Sequence, residues 1–199
     1  MSSEPIRDPA KDSLLTPQNS ALIIIDYQPT QVNSIKSMDH EMLVDHIVTV
    51  AKTAIAYGLP IILSTVNVQT GANKPTVQPL LDALGNIKSY DRTTINAWED
   101  VEFRKAVEAT GRKKLIMTAL WTEACLTFPT LDALRAGYDV YPVVDAVGGT
   151  SVDAQLTALR RIEQAGAKLT SIAQLLCELQ RDWARKETVP AFVKLLFKH

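Results

Sequence analysis

Three polar segments of this 199-residue chain hold side chains that together could activate a sulfur nucleophile. Asp26 ends the apolar run 21–25, Cys125 follows the apolar run 115–120, and Arg92 lies in the polar segment 86–100. A thiol nucleophile needs a base to take its proton and a cation to hold its charge, which a carboxylate and a basic side chain supply. Because no histidine stands at the end of any apolar run, Asp26 is the best candidate for the base.

The segment 113–137, KKLIMTALWTEACLTFPTLDALRAG, carries the candidate nucleophile. Its apolar run predicts a strand buried on both faces, and apolar residues at helical spacing from Leu126 to Gly137 predict a helix. Pro129 fits the first turn of that helix. We therefore expect Cys125 at the helix N-terminus, where the helix and a nearby cation lower the pKa of a thiol and free amides can hold an oxyanion. The alternative, that Cys125 is a small buried apolar residue, stays open.

Apolar runs and helical periods alternate along the rest of the chain, which predicts an α/β fold with a parallel sheet flanked by helices. In such sheets ligands gather at the carboxyl ends of the strands, where Asp26 is expected. Cys177 is expected in the core, on the apolar face of a late helix. Besides the central strand and helix, the predicted strands cover 21–25, 60–64, 139–145 and 168–172, and a short strand followed by a polar loop is predicted within 86–100. The predicted helices cover 42–57, 79–84, 100–111, 152–166 and 174–185.

Composition restricts the class of partner. A net charge of -1 and a pI near 6.3 give no electrostatic case for binding nucleic acid or an acidic membrane surface. The polar first twenty residues do not resemble a secretory signal, and no apolar run approaches a membrane span. With two cysteines and no disulfide framework, we expect a cytoplasmic protein. The three histidines form no cluster with other ligands, so we expect no metal.

The length fits one domain over residues 1–199. We expect residues 1–20 to be a leader on its surface. The end of the chain, 186–199, is apolar over 189–197. Such a tail packs on its own domain or on a neighbouring subunit, and we expect it to make contacts in a homo-oligomer.

The runs LIIIDYQ, TTINAW and LWTEACLTFPTLDALRAGYDVYPVVDA resemble the isochorismatase-like cysteine hydrolases, most closely their YcaC-like branch, over about residues 15–180. The resemblance implies a three-layer α/β/α sandwich with a six-stranded parallel sheet. It places the family's catalytic triad on Asp26, Arg92 and Cys125. It also implies a cis peptide between Leu120 and Trp121, an oxyanion hole formed by the amides of Trp121 and Cys125, and a homo-oligomer, commonly an octamer.

Two departures from the family pattern affect the chemistry. The basic triad member is usually lysine, whereas Arg92 stands here, and arginine does not shuttle protons at neutral pH. Lys88 is the alternative basic residue. Metal-binding nicotinamidases of the family carry D-x-H-x-x-H, where this chain has NVQTGAN, so zinc-assisted nicotinamide hydrolysis is disfavoured and no cofactor is expected.

These observations predict a metal-independent cysteine hydrolase that acts on a small amide, carbamoyl or related C–N bond through a covalent cysteine intermediate. The pocket for this small molecule is predicted to be lined by Gln28, Asn67, Asn96, Trp98 and Trp121. Two alternatives remain: a redox-sensing thiol, disfavoured because Cys177 is expected in the core, and a non-catalytic binding or assembly protein on the hydrolase scaffold. A dinucleotide-dependent dehydrogenase is disfavoured because DYQPTQ replaces a glycine-rich loop after the first strand. Isochorismate itself is disfavoured because no second arginine lies near the predicted site.

Overall fold

The computed structural model describes residues 7–198, and within them five parallel strands form one sheet in the order β3-β2-β1-β4-β5. Every residue of β1 and β4 is buried, because helices cover both faces of the sheet. The strands are β1 (Ser20–Ile25), β2 (Ile61–Val66), β3 (Ser89–Arg92), β4 (Lys114–Ala119) and β5 (Asp139–Pro142). The α-helices are α1 (Pro29–Ser34), α2 (His40–Ala56), α3 (Gln78–Leu84), α4 (Val101–Ala109), α5 (Thr127–Arg135), α6 (Val152–Gln164), α7 (Ile172–Gln180) and α8 (Val189–Leu196).

Alternate residues of β1 face two different helical layers. Leu22 and Ile24 belong to an apolar cluster with residues of α1, α2, α3, α7 and α8. Ile23 and Ile25 belong to a second cluster with residues of α4, α5 and α6. Since successive strand residues point to opposite faces of a sheet, the two clusters lie on its two sides. The predicted three-layer α/β/α sandwich is confirmed.

The prediction of a sixth strand over 168–172 is wrong. Lys168 and Thr170 donate backbone hydrogen bonds to the carbonyls of Val140 and Pro142 at 2.8 and 2.9 Å, but the pairing amounts to an isolated parallel bridge between Thr170 and Val143. Ser171 is the N-cap of α7 and accepts a hydrogen bond from the backbone of Gln174. The extended stretch therefore stops after Thr170, too short to make a strand.

Helix α7 ends earlier than predicted, and its residue Cys177 faces outward instead of into the core. It stops at Gln180 because Arg181 turns the chain with a φ of +62° and donates from Nη2 to Asp12 Oδ2 at 2.8 Å. Cys177 is exposed, so its predicted place in the core is wrong. With 3.6 residues per turn, Leu175 and Leu179 face the sheet while the residue midway between them points outward.

Both ends of the described chain pack on the same fold. Leu15 is fully buried, and its backbone N–H donates to Glu178 Oε2 at 2.6 Å. In α8, Phe192 and Leu195 are buried in the cluster that contains α2 and α7, so this part of the tail packs on its own domain, while its expected contact with a neighbouring subunit stays a prediction. The first six residues of the expected leader and the terminal His199 of the tail lie outside the described residues. Between residues 7 and 198, no helix has the length and apolarity needed to cross a membrane.

Candidate active site

Asp26 lies directly beyond the carboxyl end of β1, in the middle of the sheet. Its φ is +63°, in the left-handed region that aspartate adopts more readily than most residues. Its backbone N–H donates to the carbonyl of Ser64 at 3.0 Å, and the residue is fully buried. The bend and this hydrogen bond hold the carboxylate at the carboxyl end of the central strand.

Arg92 reaches Asp26 from β3, two strands away, by crossing the end of β2. Its Nη1 donates to Asp26 Oδ1 at 2.7 Å and its Nη2 to Asp26 Oδ2 at 2.8 Å. The same two nitrogens donate to the carbonyls of Thr65 and Ile95 at 3.0 and 3.1 Å. Neither charged side chain is exposed to solvent. A lysine has only a single ammonium and could not form this two-pronged contact.

Lys88 does not replace Arg92 as the basic residue. It is exposed, and its Nζ lies 4.3 Å from the centre of the Tyr90 ring. The alternative assignment of the basic member to Lys88 is wrong, because β3 turns Arg92 toward the carboxylate instead.

Cys125 lies between β4 and α5, in one turn of π-helix over Thr122–Leu126. The peptide between Leu120 and Trp121 is cis, as the resemblance implies. The α-helix itself begins at Thr127, so Cys125 precedes it by two residues, and Pro129 occupies its first turn as expected. Cys125 is 7% exposed and belongs to the apolar cluster of α4, α5 and α6.

The expected lowering of the thiol pKa is wrong. Burial raises the pKa of Cys125 to about 12, and the charge of Asp26 and a hydrogen bond to it contribute to the rise. Arg92 and a hydrogen bond from the backbone of Trp121 act in the opposite direction without reversing it. The resting group is therefore a protonated thiol beside the charged Asp26 carboxylate.

Arg92 keeps its proton in this environment. Burial alone would lower the pKa of Arg92, but the hydrogen bonds and charge of Asp26 raise it above its ordinary value. The guanidinium can orient Asp26 and hold its charge, whereas it cannot relay protons.

Two of the predicted pocket residues use their polar groups inside the protein. Gln28 is fully buried; its Nε2 donates to the carbonyls of Val66 and Lys74 at 3.0 and 2.7 Å, and its Oε1 accepts from the Val66 N–H at 2.9 Å. Asn96 Nδ2 donates to Asp132 Oδ2 at 2.7 Å, and Asn96 Oδ1 accepts from the backbone of the short helix that follows. Both side chains brace the loops around the site.

The remaining predicted pocket residues make different contacts. Trp98 is buried in the same apolar cluster as Cys125 and meets Tyr138 edge to face at 5.5 Å. The Trp121 indole donates to Ser34 Oγ at 2.6 Å. Asn67 follows β2, and its backbone N–H donates to the carbonyl of Arg92 at 2.8 Å.

Sequence reasoning did not identify Ser64 and Thr65, which help to hold Arg92. Arg92 Nη1 lies 3.2 Å from Ser64 Oγ and 3.0 Å from the carbonyl of Thr65. The signal was present in the sequence, since both are polar residues at the end of the apolar strand β2. Among residues 7–198, no three His, Cys, Asp or Glu side chains are grouped so that they could hold a metal ion.

Comparisons with known proteins agree with this fold. The family model described as the isochorismatase domain matches residues 20–174. The probable hydrolase YcaC of Escherichia coli K12 is 34% identical over 170 residues, which cover 85% of this chain and 81% of that protein.

Two solved YcaC structures superpose closely on this chain, each with a TM-score of 0.83 and 31% sequence identity. YcaC from Pseudomonas aeruginosa, determined with hexane-2,5-diol and covalent acrylamide, matches 92% of this chain and 96% of its own. The E. coli YcaC structure, described as an octameric hydrolase of unknown specificity, matches 93% of this chain and 95% of its own. On the family match, the sequence identity and these superpositions together, the chain belongs to the isochorismatase family of hydrolases, within its YcaC-like branch.

Proposed function

We propose that this chain is a metal-independent cysteine hydrolase that cleaves small amides, carbamoyl compounds or related C–N bonds through a covalent adduct on Cys125. One observation carries the proposal: Arg92 holds the buried Asp26 carboxylate by two hydrogen bonds of 2.7 and 2.8 Å, and this carboxylate lies close enough to Cys125 to raise the pKa of its thiol. A nucleophile, a base and a group that orients the base are thereby in contact.

In the first half of the proposed reaction, the sulfur attacks the carbonyl carbon while its proton passes to Asp26. The C=O π bond opens to an oxyanion, which the amides of Trp121 and Cys125 hold. The backbone of Trp121 acts to lower the pKa of the Cys125 thiol, which supports its place next to the reacting carbon. When the C–N bond breaks, the proton on Asp26 goes to the leaving amine and a thioester remains.

In the second half, water attacks the thioester and gives a proton to Asp26. The C–S bond breaks, the acid leaves, and the proton returns to the sulfur, so that one amide and one water give one acid and one amine. Arg92 keeps the carboxylate oriented through both halves and transfers no proton. This cycle starts from a thiol, which agrees with the raised pKa of Cys125.

The covalent acrylamide in the P. aeruginosa relative supports a site that accepts small amides. A redox-sensing role has less support, because Cys125 packs with the layer of α4, α5 and α6 while α7, which carries Cys177, packs on the opposite layer. We also propose that the chain acts as a single catalytic domain in the cytoplasm. We further propose a homo-oligomer, with the octameric E. coli relative as support.

The test is a screen of small amides, carbamates and nitriles, with product detection and the intact mass of the protein as readouts. We expect turnover or an adduct with the wild type and with the matched control Cys177→Ala, and neither with Cys125→Ala. Hydrolysis by Cys125→Ala at the wild-type rate would show that the mechanism is wrong.

A further inference from the structure

The π-turn that carries Cys125 is joined to a neighbouring loop, residues 148–150, by the backbone hydrogen bond from the Thr122 N–H to the carbonyl of Gly148 at 2.8 Å and by one acidic side chain. Glu123 Oε1 accepts hydrogen bonds from both the backbone N–H and the hydroxyl of Thr150, at 3.0 and 2.5 Å. Its other oxygen, Oε2, is buried and has no hydrogen-bond partner among the described residues. Among the described residues, this carboxylate therefore accepts hydrogen bonds from Thr150 alone.

The loop that receives Glu123 is itself firmly held. Gly149 accepts from the Lys36 N–H at 3.0 Å and donates to Ser37 Oγ at 2.9 Å. At Gly148 the packing is so close that an added Cβ would lie 2.7 Å from the Ile35 side chain. The loop can therefore act as a fixed support for the turn.

Within the triad, only the nucleophile depends on this support. Asp26 and Arg92 are fixed by the strands β1 and β3 and by each other. Cys125 lies on a turn without an N-terminal side-chain cap, and Glu123 is two residues before it in that turn. A hydrogen bond donated to a carboxylate is shorter and stronger than one between neutral groups, so the two that Glu123 accepts can hold the turn in place.

We propose that Glu123 is a positioning residue: through Thr150 it holds the π-turn so that the Cys125 thiol stays directed at Asp26. The inference rests on the proposed function, because it assigns Glu123 a role only if Asp26 is the base. Loss of the Glu123–Thr150 contact should impair one step, the transfer of the thiol proton to Asp26. Without the contact, the thiol and the Asp26 carboxylate are both still present, but the proton transfer between them becomes inefficient.

The experiment measures the rate of Cys125 alkylation by acrylamide in a Cys177→Ser background, followed by intact mass across the pH range in which thiols titrate. In this addition the S–C bond forms, the C=C π bond breaks, and the thiol proton ends on the adjacent carbon. We expect Glu123→Ala to lower the rate at neutral pH by about tenfold to 100-fold, the scale of a misplaced reacting group. We also expect its rate to rise more steeply with pH, because reaction then depends on prior ionisation of the thiol.

Further variants separate positioning from folding. Glu123→Gln keeps an acceptor oxygen for Thr150 and should recover most of the rate. Thr150→Val keeps the backbone donor, so its alkylation rate should fall less than that of Glu123→Ala. The double variant Glu123→Ala/Thr150→Val should react no more slowly than Glu123→Ala alone, since both changes act on one contact. Glu163→Ala removes an exposed glutamate of α6 and is the matched control.

Two results would overturn the inference. If Glu123 only stabilised the fold, Glu123→Ala would lower the melting temperature while alkylation stayed equal or became faster, because a loosened turn exposes a cysteine that is now 7% exposed. Asp26→Asn separates the base role of Asp26 from the positioning role of Glu123. If Asp26→Asn alkylates as fast as the wild type, the base role fails and the positioning role fails with it; if only Glu123→Ala matches the wild type, the positioning role alone fails.

Discussion

Replacing Asp26 with asparagine should make Cys125 more acidic and, at the same time, less reactive at neutral pH. The rise of the thiol pKa from an ordinary 9.0 to about 12 corresponds to about 4 kcal/mol in favour of the protonated form, at about 1.36 kcal/mol per pKa unit. Burial, the first cause, is unchanged by an isosteric asparagine. The charge of Asp26 is removed and Arg92 loses its neutralising partner, so the pKa of Cys125 must fall.

Reactivity should move in the opposite direction. A positioned general base contributes about 10²–10⁴-fold to a rate, and Asp26→Asn removes it. Even if the thiol returned to its ordinary pKa of 9.0, only about one molecule in a hundred would be ionised near pH 7. We therefore expect turnover and acrylamide capture to fall by about 100-fold or more at neutral pH.

The assay combines two titrations in a Cys177→Ser background: ultraviolet absorbance of the thiolate against pH, and the alkylation rate against pH. Asp153→Asn, at an exposed aspartate of α6, is the matched control and should follow the wild type in both. An unchanged or higher pKa of Cys125 in Asp26→Asn would refute the reasoning about its environment. An unchanged neutral rate would refute the assignment of Asp26 as the base.

Three more outcomes can be checked by simple measurements. Arg92→Met should lower the free energy of unfolding in urea by about 3–5 kcal/mol, because it leaves the Asp26 charge buried alone, and adding Asp26→Asn should recover part of that loss. Because the folded-state pKa of Cys125 is raised, its contribution to stability is complete below about pH 9 and is lost as the pH rises through about 12; Cys125→Ser should show a smaller alkaline decline, and an identical decline would contradict the raised pKa. Phe197→Ala, at a side chain 70% exposed on the tail, should lower the assembly mass in light scattering with little change in melting temperature, and an unchanged mass would remove the tail from the proposed interface.

The features that sequence analysis predicted depend on residues close together in the chain. β1 and β4 are apolar runs ended by polar residues. Their burial, and the positions of Asp26 and Cys125 after the carboxyl ends of these strands, could therefore be predicted from the local pattern. The resemblance added the cis peptide before Trp121, which the structure contains. The same local reasoning found α3, from Gln78 to Leu84.

The features that it missed depend on contacts between distant residues. The turn at Arg181 that ends α7 is held by Asp12, which lies 169 residues earlier. The orientation of Cys177 depends on which face of α7 meets the sheet. The pKa of Cys125 follows from its burial and its contact with Asp26, and position next to a helix start does not reveal either.

The guanidinium of Arg92 has a consequence for how the protein acquires activity. Its contacts join β3 to the end of β1 across the end of β2, so the oriented base, formed by two residues 66 positions apart, exists only after three strands have assembled in register. Secondary structure can form earlier during refolding, but capture of acrylamide by Cys125 should return only when the β3 edge of the sheet is in place. The reactive sulfur is thus a chemical reporter of the completed sheet.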